Sequence, residues 1–111
     1  MARSQKTDLL RGTLDLLILR TLALGAMHGV AIADRIAQIT RGTFVVQAGS
    51  HFPALHRLER ERVIEGDWTT SDEGRRVKSY TITATGRRRL TSEQNEWARI
   101  VAAVSQVLRA V

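Results

Sequence analysis

The chain contains no cysteine. That excludes a disulfide framework and any thiolate metal site. Proline occurs once and the glycines are scattered, so no low-complexity linker divides the chain. No apolar run reaches membrane-spanning length, because Asp15 and Arg20 interrupt the longest one. The opening stretch, MARSQKTDLLRG, lacks the apolar core of a secretory signal, and a soluble cytoplasmic protein is the expectation. The three histidines, His28, His51 and His56, show no spacing that singles out a metal. No Ser–His–acid or Cys–His set can be argued, and no glycine loop could cradle a phosphate. Neither an enzyme nor a bound cofactor is expected.

What is present is one domain's worth of apolar residues, 43% of 111, enough for a single compact unit. Seventeen Lys and Arg oppose eleven Asp and Glu, for a net charge of +6, and all but two of the cations are arginine. Arginine forks match phosphates and guanine edges better than lysine does, so a polyanionic partner is expected. The excess is local. Residues 50–89 carry nine basic and six acidic groups, whereas residues 90–111 carry two of each.

Residues 1–7 read as a loose polar end. Thr7 or Asp8 can start a helix to about Leu24 through Leu9, Leu10, Leu14, Leu17, Ile18 and Leu22, with Gly25 ending it. Leu16 and Leu19 fall off the main face, so the helix is apolar nearly all round and should be buried on several sides. Residues 26–29 read as a turn, followed by a helix from about Gly29 to Thr40 with Val30, Ile32, Ile36 and Ile39 on its apolar side. Residues 43–46, β-branched and aromatic, predict a brief extended piece. The chain then reaches GSHFPALHRLERER, residues 49–62. Ser50 can cap a helix there, with Pro53 in its first turn. On a helical wheel Leu55, Leu58 and His51 share one side, while Pro53, His56, Arg57 and Arg60 lie opposite and Phe52 flanks them. Helix, bend and helix read as a helix-turn-helix with a lengthened turn.

After Arg62 the pattern alternates. Residues 63–69 and 75–83 predict two strands around a polar tip at 71–74. A hairpin directly after a candidate recognition helix reads as a wing, and Arg75, Arg76 and Lys78 could reach phosphates. Thr83 or Thr85 can cap a last helix that carries Arg87, Arg88 and Arg89 in its first turn, against the macrodipole. From Leu90 on, Trp97, Val101, Val104, Leu108 and Val111 recur at alternating spacings of four and three. That seam predicts pairing with the same helix and the first helix of a second copy, through Leu10, Leu14 and Leu17.

Several runs together resemble the PadR family of bacterial transcriptional regulators: LLRGTLDLLILRTLALG at 9–25, MHGVAIADRI at 27–36, GSHFPALHRLERE at 49–61, RRVKSYTIT at 75–83 and TGRRRL at 85–90. The resemblance spans nearly the whole chain and is greatest to the short members. It implies a mainly α fold with a small β-hairpin (α+β), a winged helix-turn-helix over residues 1–83 and a dimerisation helix over 84–111. It also implies a homodimeric repressor on a pseudo-palindromic DNA operator, with Ser50, Phe52, Pro53, His56, Arg57, Arg60, Arg75, Arg76 and Lys78 as DNA contacts. Some members bind flat aromatic or phenolic effectors, and Trp97 is the residue that could hold one here. The sequence departs from the family's usual Ser-Leu-Tyr-Pro at Ser50-His51-Phe52-Pro53: His51 falls on the core face and Phe52 lacks a hydroxyl. A buried imidazole bonded to a backbone carbonyl is the expectation for His51. Two competing readings are a winged-helix module for protein–protein contact and a nucleic-acid binder without base readout.

Overall fold

The computed structural model describes residues 2–111, and residues 2–11 by their backbone alone. The first helix, α1 (Ala2–Ala23), starts earlier than the start signal at Thr7 or Asp8 suggests. Ala, Arg, Gln and Lys before that point are all favourable helix residues. After it, β1 (Met27–His28) occupies the expected turn. The helix α2 (Gly29–Ile39) is N-capped by the imidazole of His28, whose Nδ1 accepts from the Ala31 N–H at 3.3 Å. Gly42, at φ 81°, closes α2 by donating to the Ala37 carbonyl.

The piece at 43–46 joins no strand. Phe44 and Val45 are exposed, and only Val46 packs on the core. β propensity had no neighbouring strand to act on there. The helix α3 (Ala48–Arg60) begins two residues before Ser50, capped at Gln47 without a side-chain bond. Ser50 is therefore inside the helix rather than its cap. Pro53 lies in the second turn and leaves the exposed Gly49 carbonyl without its usual i+4 donor.

Next come β2 (Ile64–Thr70), a turn with Gly74 at φ 81°, and β3 (Arg76–Ile82). The sheet is antiparallel with order β1-β3-β2, so the wing hairpin carries a third short strand that pairs Met27 with Tyr80 and His28 with Ser79. Thr83 caps α4 (Ala84–Arg109), its Oγ1 accepting from the Gly86 N–H at 3.0 Å and donating to the Arg62 carbonyl.

One cluster joins these elements. Ile18, Leu19 and Leu22 of α1 meet Ile32 and Ile36 of α2, Leu55 and Leu58 of α3, Val63, Ile64, Tyr80 and Leu90. Leu19 is fully buried although the helical pattern put it off the main face, because α1 is covered from several sides. Beyond Leu90, α4 leaves the cluster. It is about 39 Å long at the usual helical rise, and it gives the molecule a longest dimension of 59 Å.

Candidate nucleic-acid interface

The placement of α3 rests on three attachments. Leu55 and Leu58 enter the core. His51, 1% exposed, donates from Nε2 to the Gly29 carbonyl at 2.8 Å, which ties α3 to the start of α2 as expected for a buried imidazole. Its Nδ1 is buried with no hydrogen-bond partner among the described residues. The Phe52 ring stands edge-on to His51 and lies against Gly29.

The third attachment uses a residue expected at DNA. Arg57 donates from both terminal nitrogens to Asp15 of α1, at 2.6 and 2.9 Å, and also meets Glu61 at 3.5 Å. Its side chain is 21% exposed and Asp15 is 6% exposed. The Asp15 hydrogen bond, more than any other influence, raises the guanidinium's pKa. The fork meant for a base edge is thus already filled, and Arg57 holds α3 onto α1. Asp15, the one charge in the apolar run Leu14–Leu19, was the sequence signal for this partner, and the sequence reading missed it. Glu61 also receives Arg89, which lowers its pKa chiefly through that hydrogen bond. So of the three arginines opening α4, one serves an internal network rather than a phosphate.

What α3 leaves outward is Ser50, Pro53, His56 and Arg60, with Phe52 at the edge. Arg60 has no carboxylate partner among the described residues. A groove of about 290 Å³ separates this face from the wing, lined by Phe52, His56, Trp68, Arg76, Lys78 and Tyr80, among others. The strand register decides what enters it. Gly66, Trp68 and Thr70 pair with Tyr80, Lys78 and Arg76, so these six share one side of the hairpin. Glu65 and Asp67 fall on the other side.

The wing's cations then divide. Lys78 bonds Glu59 at 2.7 Å, which raises its pKa. Arg76 stays exposed, 5.3 Å over the Trp68 ring. Arg75 lines a separate hollow with Asp72 and Glu73 on the far side, so it does not join the α3 groove. Trp68 does join it, and was missed by the sequence reading, although counting the alternation from Lys78 would have found it.

This arrangement is a winged helix-turn-helix: a helix seated by its apolar side, its outer face beside a basic hairpin. A profile described as the transcriptional regulator PadR-like family matches residues 18–92. The chain belongs to the PadR-like family of transcriptional regulators. An uncharacterised protein of Lysinibacillus sphaericus is 30% identical over 95 residues, covering 86% of this chain and 87% of that one. Among solved structures, a PadR-like transcriptional regulator from Bacillus cereus superposes with TM-score 0.79 at 27% identity, covering 94% of this chain and 99% of the other. A PadR family transcription regulator from Clostridium difficile gives 0.75 at 29%, covering 86% and 97%. A transcriptional regulator from Clostridium thermocellum gives 0.81 at 25%, covering 89% and 96%. The long C-terminal helix belongs to that PadR-like architecture. Among the described residues no helix is long and apolar enough to cross a membrane.

A second concave feature lies between α1 and α4. It is a cleft of about 230 Å³ lined by Gly12, Thr13, Leu16, Glu93, Glu96, Trp97 and Ile100. Burial pushes the Glu93 carboxyl above the usual carboxylate range, reinforced by Asp15 and opposed by Arg89, and its Oε2 has no hydrogen-bond partner among the described residues. Past this cleft, Trp97, Val101, Val104 and Leu108 are exposed on α4. Of the α1 residues expected beside them, Leu14 and Leu17 pack partly on their own core, as does Leu16 of the cleft, and the side chain of Leu10 lies outside the described residues.

Proposed function

We infer that this PadR-like protein is a homodimeric repressor that reads a pseudo-palindromic operator, with α3 in the major groove and the wing on the flanking backbone. The observation that carries the reading is the sorting of charge around α3. Glu59 and Glu61 are neutralised by Lys78, Arg57 and Arg89, which leaves Arg60 as the outward cation of α3 and Arg76 as the outward cation beside the groove on the wing. His56 and Arg60 are the side chains placed for base edges, with Ser50, Phe52 and Pro53 beside them and Arg76 placed for phosphate. Arg57 acts by positioning α3.

Dimerisation is supported by the exposed apolar series from Trp97 to Leu108, which continues along α4 beyond Leu90, the last residue of the core. Two-fold pairing suits a palindromic site. The cleft beside Trp97 opens next to that series and suits a flat aromatic effector that would shift the pairing of the two recognition helices. Selection of genomic fragments on the purified protein at two salt concentrations tests the whole reading. One enriched palindrome with half-sites about 10 base pairs apart is the expected result. Salt-sensitive retention without a motif would replace it with general nucleic-acid binding, and no retention would replace it with a protein-interaction module.

A further inference from the structure

We propose that Trp68 is itself a DNA contact, an indole plate on the wing that lies against the deoxyribose edge of the duplex and holds Arg76 for the adjacent phosphate. This rests on the reading of α3 as a duplex-binding helix. Trp68 is 60% exposed in the middle of a strand. An aromatic of this size usually contributes its area to a core or an interface, and here it does neither within the subunit. It also shares no residue with the cleft beside Trp97.

Its direction is fixed by pairing. The register with Lys78 puts the indole on the α3 side of the hairpin, in the groove that Phe52 and His56 border. Arg76, diagonal to it, sits over its ring and has no carboxylate partner among the described residues. A guanidinium on an aromatic face is attracted by the ring quadrupole while its edge nitrogens stay open to an acceptor. The pair therefore presents an apolar face and a fixed fork side by side. A sugar–phosphate strand presents the complement, an apolar ring edge beside an anionic oxygen. The carboxylates of the hairpin, Glu65 and Asp67, are turned to the far side. Nothing in the pair reads a base edge, so the contact is indifferent to sequence and adds equally to every site.

The test titrates wild-type protein into a fluorescein-labelled 30-base-pair duplex of mixed sequence at low salt, with anisotropy reporting binding. Acrylamide quenching in a Trp97→Phe variant, in which Trp68 is the sole tryptophan, reports access to the indole once its anisotropy isotherm matches that of wild type. The expected result is saturable binding that shields the indole. Trp68→Ala in the wild-type background should lose affinity about tenfold, equally for this duplex and for a selected operator, as for one aromatic stacking contact. Trp68→Phe should recover most of that loss and, with unchanged melting, excludes misfolding as its cause. Binding with an indole still open to acrylamide overturns the proposal and leaves the DNA reading intact, whether or not Trp68→Ala binds normally. Absence of wild-type binding to either duplex overturns the DNA reading and the wing contact with it.

Discussion

Arg57 and Arg60 lie three residues apart on one helix and have different surroundings. Arg57 is bonded twice to a buried carboxylate, and removing it leaves Asp15 as an uncompensated charge in a site with little water. Arg57→Ala should lower stability by roughly 2–3 kcal/mol in urea unfolding and weaken all DNA sequences alike, because the position of α3 degrades. Arg60→Ala should leave unfolding unchanged and cost about 1–3 kcal/mol at the operator with relaxed specificity. The reverse pattern would exchange their roles. Glu93 gives a pH signature. Its pKa is raised by burial, so the folded protein holds that proton more tightly than the unfolded chain. The resulting stability is present below the ordinary carboxylate value and is lost as pH rises through the raised one. Glu93→Gln should therefore melt higher than wild type at pH 7, with the difference closing in acid. Melting scans from pH 4 to 8 check this.

Where elements meet, the tightest junction is the start of α4. A Cβ on Gly86 would run into the Val63 carbonyl and crowd Ile82, so the start of α4 can lie against the residue before β2 and the end of β3 only with glycine there. Gly86→Ala should cost about 1–3 kcal/mol, read as a melting point lower by several degrees. The loss should persist in the DNA-free protein. His51 and Phe52 act at a comparable junction. The usual family pair is Leu-Tyr, and here a buried imidazole bond to Gly29 and a ring against the same glycine hold α3 to α2. The departure affects the seating of the helix more than its outer face, which keeps His56 and Arg60.

For the molecule as a whole, the proposed dimer rests on the end of α4. Val104 and Leu108 are mostly exposed, and this apolar stripe is the surface that the proposed dimer would cover. Val104→Asp should convert a dimer into the 12.4 kDa monomer in analytical ultracentrifugation. Operator affinity should then fall far more than the affinity for a half-site. An unchanged mass would send the stripe elsewhere.

Much of this organisation was legible in local pattern. Helical spacing located α2 and α3, alternation located β2 and β3, and Thr83 and Gly86 lie where a cap and a close approach were needed. The Ser50 cap failed because propensity describes what a segment can do alone, while the start of a helix is decided by its neighbours. The same limit separates the candidate site's residues. The sequence alone determined that arginine would crowd residues 50–89 and that Arg57 and Arg60 would share a helix. Only the tertiary structure decided that Asp15 takes one and leaves the other. It likewise decided that a turn becomes β1, and that Trp68 and Arg76 face α3 while Arg75 turns away. Side-chain type sets which interactions are possible, but a charge becomes structural or available according to which carboxylate folding brings within hydrogen-bond reach.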